Sequence, residues 1–130
     1  MIRRSFVLKS ALAVGLGLVS SNKVFAEAYI SYPSRVTTIY FPIGKKFTDF
    51  QNDLGLWMDV EKWRSFLEAQ KKSGALIHIH RLVRSNSVAY IYKFRSPSDL
   101  DRFEVAAHLI CNVNLNARNN LGYRNNISFS

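Results

Sequence analysis

Two histidines stand two residues apart in His78-Ile79-His80. In an extended strand, alternate side chains share a face, about 6 to 7 Å apart. Two imidazoles so placed offer a metal ion two ligands, or an anion two donors. A catalytic zinc site takes three protein ligands, commonly histidine or carboxylate. The stretch from Ala75 to Arg95 holds no acid, and His108, the remaining histidine, falls on a helix read below. His78 and His80 are therefore candidate metal ligands in need of a third. The competing reading is a pair of strand histidines in contact with water. A histidine pair repeated across a dimer would also complete a site.

Arg84, Lys93 and Arg95 follow in the same stretch. With the histidines they form a candidate binding set for phosphate or carboxylate. Cations on an open sheet also deter aggregation, so the patch has a structural explanation as well. Other chemistry is thinly represented. There is no glycine-rich phosphate loop and no G-x-S-x-G elbow. Asp49, Asp53 and Asp59 lie where helices begin, and capping explains them better than paired acid and base work. Cys111 is the single cysteine, which rules out an internal disulfide and reads as a small buried hydrophobe. Asparagines are dense from Asn112 to Asn126, a hydrogen-bonding surface that would suit a glycan or simply a helix end and loop.

The elements that must position these residues follow from pattern. Arg35 to Phe41 is β-branched and aromatic and reads as a strand. Thr48 and Gln51 have capping-box spacing, and Gly55 should break or kink the helix they start. Asp59 caps a second start, after which Val60, Trp63, Phe66 and Leu67 share a helical face. Ser73-Gly74 is a stop. Two strands then meet at a two-residue turn, Ser85-Asn86, which sets Val83 opposite Val88. One hairpin face carries Ile77, Ile79, Arg81, Val83, Val88, Tyr90, Tyr92 and Phe94, and should meet the helices. The other carries Leu76, His78, His80, Leu82, Arg84, Ala89, Ile91, Lys93 and Arg95, and should stay open or form a subunit contact. Ser96 caps the next helix, with Pro97 at its first position. Its stripe is Leu100, Phe103, Ala106 or Ala107, and Ile110. The stretch Cys111 to Asn120 alternates with period two yet also continues that stripe, and a long helix ending near Gly122 is the preferred reading. Ile127 to Ser130 reads as a short edge strand.

The order strand, helix, strand, strand, helix, strand is the split βαβ pattern. The expected fold is an α+β, ferredoxin-like sandwich, an antiparallel sheet with helices on one face. Fold alone carries no function.

The N-terminus reads as an address. Arg3, Arg4 and Lys9 precede a short apolar run, Leu12 to Val19, and Val24-Phe25-Ala26 offers a cleavage site. The run is shorter than the roughly 18 residues that span a bilayer. Arg3-Arg4-Ser5-Phe6-Val7 resembles the twin-arginine export motif, although Leu8 holds the usual lysine position. That resemblance implies export after folding; ordinary unfolded export is the alternative. The expected organisation is a signal peptide over residues 1–26 and a single domain over 27–130, working in the periplasm or outside the cell. The leader holds four of the 18 basic residues and none of the nine acids, so the net charge falls from +9 to +5 on its loss. The remaining charge is ordinary for a small domain, and it also favours anionic partners such as wall polymers or a membrane surface.

Two functions compete. The first is a non-catalytic binding or accessory domain that acts through the basic, histidine-bearing sheet face or by homodimerisation, with Leu76, Leu82, Ala89 and Ile91 supplying apolar contact. It needs no cofactor. The second is a small enzyme or cofactor binder of the dimeric α+β barrel kind, which the layout resembles, holding a metal or haem with His78 and His80 lining its cavity. Nucleic acid is disfavoured. An RNA-binding sheet would need Tyr90, Tyr92 and Phe94 turned outward within a glycine-rich consensus that this chain lacks.

Overall fold

The β-branched run Val36-Thr37-Thr38-Ile39 forms β1 (Ser34–Tyr40), as residues stiff at the first side-chain torsion favour. The computed structural model describes residues 31–130; the expected leader, its cleavage site and the first residues of the mature domain lie outside the described residues. After β1 come α1 (Phe47–Asp53), a single 3₁₀ turn (Leu54–Leu56) and α2 (Val60–Lys72). The hairpin is β2 (Leu76–Val83) and β3 (Ser87–Phe94). It is followed by α3 (Pro97–Cys111), α4 (Leu115–Leu121) and β4 (Arg124–Phe129).

Most helix boundaries obey their caps. Asp59 accepts from the Lys62 amide at 3.0 Å, and Ser96 from the Asp99 amide at 3.2 Å, each satisfying an otherwise free N–H. The start of α1 differs from expectation. Lys46 holds the cap position, and its amide donates to Asp49 Oδ2 at 2.8 Å. A carboxylate is a stronger acceptor than a hydroxyl, so Asp49 sets the start and Thr48 falls inside the first turn.

The long helix expected through residue 121 is two helices. The Asn112 side chain donates to the His108 carbonyl at 3.0 Å and closes α3, and Asn114 accepts from the Ala117 amide at 3.1 Å and opens α4. Asparagine competes for backbone groups in this way, and so interrupts helices. Gly122 ends α4 at φ +91°, the left-handed cap that glycine adopts at little cost.

The sheet order is β2-β3-β1-β4, antiparallel throughout. Val83 pairs with Val88, as the two-residue turn requires. β4 is an edge strand that begins three residues before the expected one. The ladder also holds a β-bulge between Leu76 and His78, where Leu76 pairs with Phe94 and His78 with Lys93, which leaves Ile77 as the extra residue. The bulge reverses two face assignments. Leu76, expected outside, is buried under the helices, while Ile77 is 45% exposed.

The core lies between the sheet and the helices, in two lobes. One gathers Ile39, Phe41, Phe50, Trp57, Met58, Val88 and Tyr123. The other gathers Leu76, Tyr92, Phe94, Leu100, Phe103 and Ala107. Trp63 and Tyr90 pack against both.

Candidate functional site

The β2–β3 register fixes where the predicted residues stand. His78 and His80 are exposed on the face away from the helices, with ring centroids 6.1 Å apart and near-parallel planes. Lys93 pairs with His78 and is exposed on the same face. Arg84 lies at the hairpin turn, its amide bonded to the Ser87 carbonyl at 2.8 Å. Arg95 does not join them. It leaves the end of β3 and binds Asp99 at the start of α3 through Nε and Nη2. Among the described residues, no group of three His, Cys, Asp or Glu side chains is placed to hold a metal ion.

Strand pairing extends this face across all four strands. His80, Ile91, Val36 and Ser128 form one row; Leu82, Ala89, Thr38 and Asn126 form the next. The patch thus has an apolar centre of Val36, Leu82, Ala89 and Ile91. Its rim is polar and basic, with His78, His80, Lys93 and Arg124. Leu76 is absent from it because of the bulge.

The other face of the sheet holds what the sequence did not disclose. Between the two core lobes lies a cavity of about 390 Å³. Its walls are aromatic and aliphatic, with Trp57, Trp63, Tyr90, Tyr92, Ile39 and Leu67 prominent, and its rim includes the exposed residues Arg64, His108, Asn125 and Ile127. His78 and His80 do not line it. They sit on the opposite face because side chains alternate along β2 after the bulge.

The cavity carries charge as well as apolar surface. Arg35, on β1, is 5% exposed. Its Nε donates to Glu104 Oε1 on α3, and its Nη1 donates to Thr37 Oγ1 at 2.8 Å. The guanidinium carbon also sits 5.7 Å from the Tyr92 ring centre and 5.6 Å from that of Phe103, within cation–π range. Burial raises the Tyr92 hydroxyl well above the usual phenol range, opposed by Arg35 and assisted by Cys111 and Tyr90. Burial also pushes the Cys111 thiol up to about 11, again opposed by Arg35. Burial thus favours the thiol form of Cys111 over the more reactive thiolate. Tyr90 is raised for the same reason, with Arg81 opposing. Only separation in sequence hid this site: Arg35 and Glu104 are 69 residues apart.

No protein-family model matches the chain, and no curated protein matches it. Among solved structures, it is similar to a dimeric ferredoxin-like protein from an uncultured marine organism, with 14% identity, a TM-score of 0.53, and 75% of this chain and 92% of that chain covered. A second dimeric ferredoxin-like protein, also from an uncultured marine organism, aligns at 10% identity and a TM-score of 0.46 over 77% of this chain and 89% of that one. The chain is an α+β protein with the ferredoxin-like fold, as its sheet order and the first of these neighbours show.

Proposed function

We propose that this is a small exported, non-catalytic binding domain that works as a homodimer joined through the open sheet faces. The observation that carries the reading is the apolar centre Val36-Ile91-Ala89-Leu82 within a polar rim, on the face that no described helix covers. A patch with an apolar centre and a hydrophilic border is the usual anatomy of an interface, and a two-fold pairing lets one surface serve both copies. The neighbour described as dimeric supports it. Export rests on the leader pattern of Arg3, Arg4 and the run Leu12 to Val19.

Sedimentation equilibrium of the mature chain tests the pairing. The expected result is a dimer that Ile91→Asp converts to a folded monomer, since a buried unpaired charge opposes association. The rim contributes Lys93 and Arg124 from each copy, so added salt should tighten the dimer by screening like charges. A wild-type monomer at every concentration would overturn the proposal.

A second reading has its own observation: among the described residues, Lys93 and Arg124 have no acid beside them on that face, which favours an anionic polymer or membrane surface. Such binding weakens with salt, the opposite sign. Cosedimentation with anionic vesicles or peptidoglycan across a salt series separates the two.

A further inference from the structure

We propose that the cavity between the sheet and the helices is a binding site for a neutral, planar aromatic molecule bearing a hydroxyl group. The site lies on the face of the sheet opposite the proposed dimer surface and does not depend on it.

Size and lining come first. A cavity of about 390 Å³ falls in the range of small-molecule sites. An apolar cavity of about 150 Å³ holds benzene, so this one accommodates roughly two fused rings. Trp57, Trp63, Tyr90 and Tyr92 present aromatic surface to it, suited to stacked or edge contacts with a flat ligand.

Polar groups then select the chemistry. Tyr92 is 4% exposed as a residue and lines the cavity, where its hydroxyl can donate to or accept from a bound molecule. Arg35 engages Nε and Nη1, which leaves Nη2 without a partner among the described residues; Glu104 engages Oε1, which leaves Oε2. The site therefore offers donors from Arg35 and Tyr92 and an acceptor from Glu104. A hydroxyl both accepts and donates, and satisfies both sides. Glu104 already neutralises Arg35, so the site has no surplus positive charge to hold a carboxylate ligand. A ligand without polar atoms would forgo hydrogen bonds with Arg35, Tyr92 and Glu104, which line the cavity.

The probes are 2-naphthol, its carboxylate analogue 2-naphthoate, and naphthalene, titrated into the mature protein at pH 7. Binding is followed by tryptophan fluorescence and by ligand-observed saturation-transfer NMR. The expected result is saturable binding of 2-naphthol below about 1 mM, with the other two at least tenfold weaker. Tyr92→Phe removes only the hydroxyl and should weaken 2-naphthol roughly 3- to 10-fold, the worth of one neutral hydrogen bond. Cys111→Leu adds bulk inside the cavity and should abolish binding, its fold checked by thermal unfolding. If Cys111→Leu does not fold, Tyr92→Phe together with the three-probe ranking decides. No saturable binding of 2-naphthol, tighter binding of 2-naphthoate, or affinity indifferent to Tyr92→Phe would each overturn the assignment. The dimer measurement reports on the other face, so failure of one leaves the other standing.

Discussion

Arg95 holds Asp99 by two bonds, Nε to Oδ2 at 3.0 Å and Nη2 to Oδ1 at 3.2 Å. Arg102 Nη2 donates to Oδ1 at 2.6 Å, and Ser96 Oγ donates to Oδ2 at 2.7 Å. The carboxylate is 2% exposed and sits in the first turn of α3, where the helix N-terminus also favours a negative charge. The pairing explains why Arg95 abandons the sheet face. A nearly buried carboxylate needs a partner, and Arg95 is four residues away.

Those bonds, led by Arg95 and then Ser96, hold the Asp99 carboxyl down to about 2 against a desolvation that opposes them. A carboxylate normally titrates near 3.9. Its folded value is depressed, so its contribution to stability is present above about pH 4 and is lost as pH falls through 2. Asp99→Asn should cost about 1 to 3 kcal/mol at neutral pH and flatten that acid limb. Urea denaturation at several pH values checks both, and an unchanged acid limb in the variant would refute the assignment.

Gly74 and Gly122 both sit at positive φ, +84° and +91°. A side chain at either position incurs about 1 to 2 kcal/mol of backbone strain. The surroundings differ. A Cβ at Gly74 would stand 3.5 Å from the flexible tip of Arg95, but at Gly122 it would stand 3.0 Å from Pro42 Cβ. Gly122→Ala should therefore lower the unfolding midpoint more than Gly74→Ala, by about 1 kcal/mol or more of added overpacking. Equal losses in parallel melts would contradict this.

Tyr123 lies in the larger aromatic lobe, its ring 5.0 Å from that of Trp57, and its hydroxyl donates to Asp53 Oδ2 at 2.7 Å. That bond is the largest cause of the lowered Asp53 pKa, followed by Lys45. In Tyr123→Phe, the Asp53 carboxyl should titrate closer to its ordinary value while remaining below it, since Lys45 stays at 3.0 Å. Carboxyl-carbon NMR across an acid titration reads the shift. No movement would mean that the hydroxyl does not stabilise the carboxylate.

Cys111, raised to about 11 by burial, should react with an alkylating reagent at pH 8 far more slowly in the folded protein than in urea. The thiolate is the reactive form. Labelling followed by mass spectrometry measures the ratio, and equal rates would show the thiol to be open to water.

Local rules carried most of the fold. Asp59, Ser96 and Pro97 announced their helices because capping depends on a few adjacent residues. The Ser85-Asn86 turn fixed the hairpin register, and the register placed His78, His80 and Lys93 on the open face. The misses came from interactions between elements or from finer local competition. The bulge at Ile77 shifted the phase of one strand end, and no residue type marks it. Asn112 and Asn114 divided a helix whose apolar stripe reads as continuous. Arg95 answered a desolvated carboxylate on the next helix. The cavity was invisible because its charged floor joins β1 to α3, and its aromatic walls read simply as core.

The bulge has one more consequence. Ile77 is the surplus rung in β2: without it, Leu76 and His78 would follow each other in plain alternation, already matched to Phe94 and Lys93. A chain shortened by that single residue should keep its topology and lose only a local kink, so length variation among natural relatives is expected to concentrate at this point of the strand rather than in the neighbouring turn.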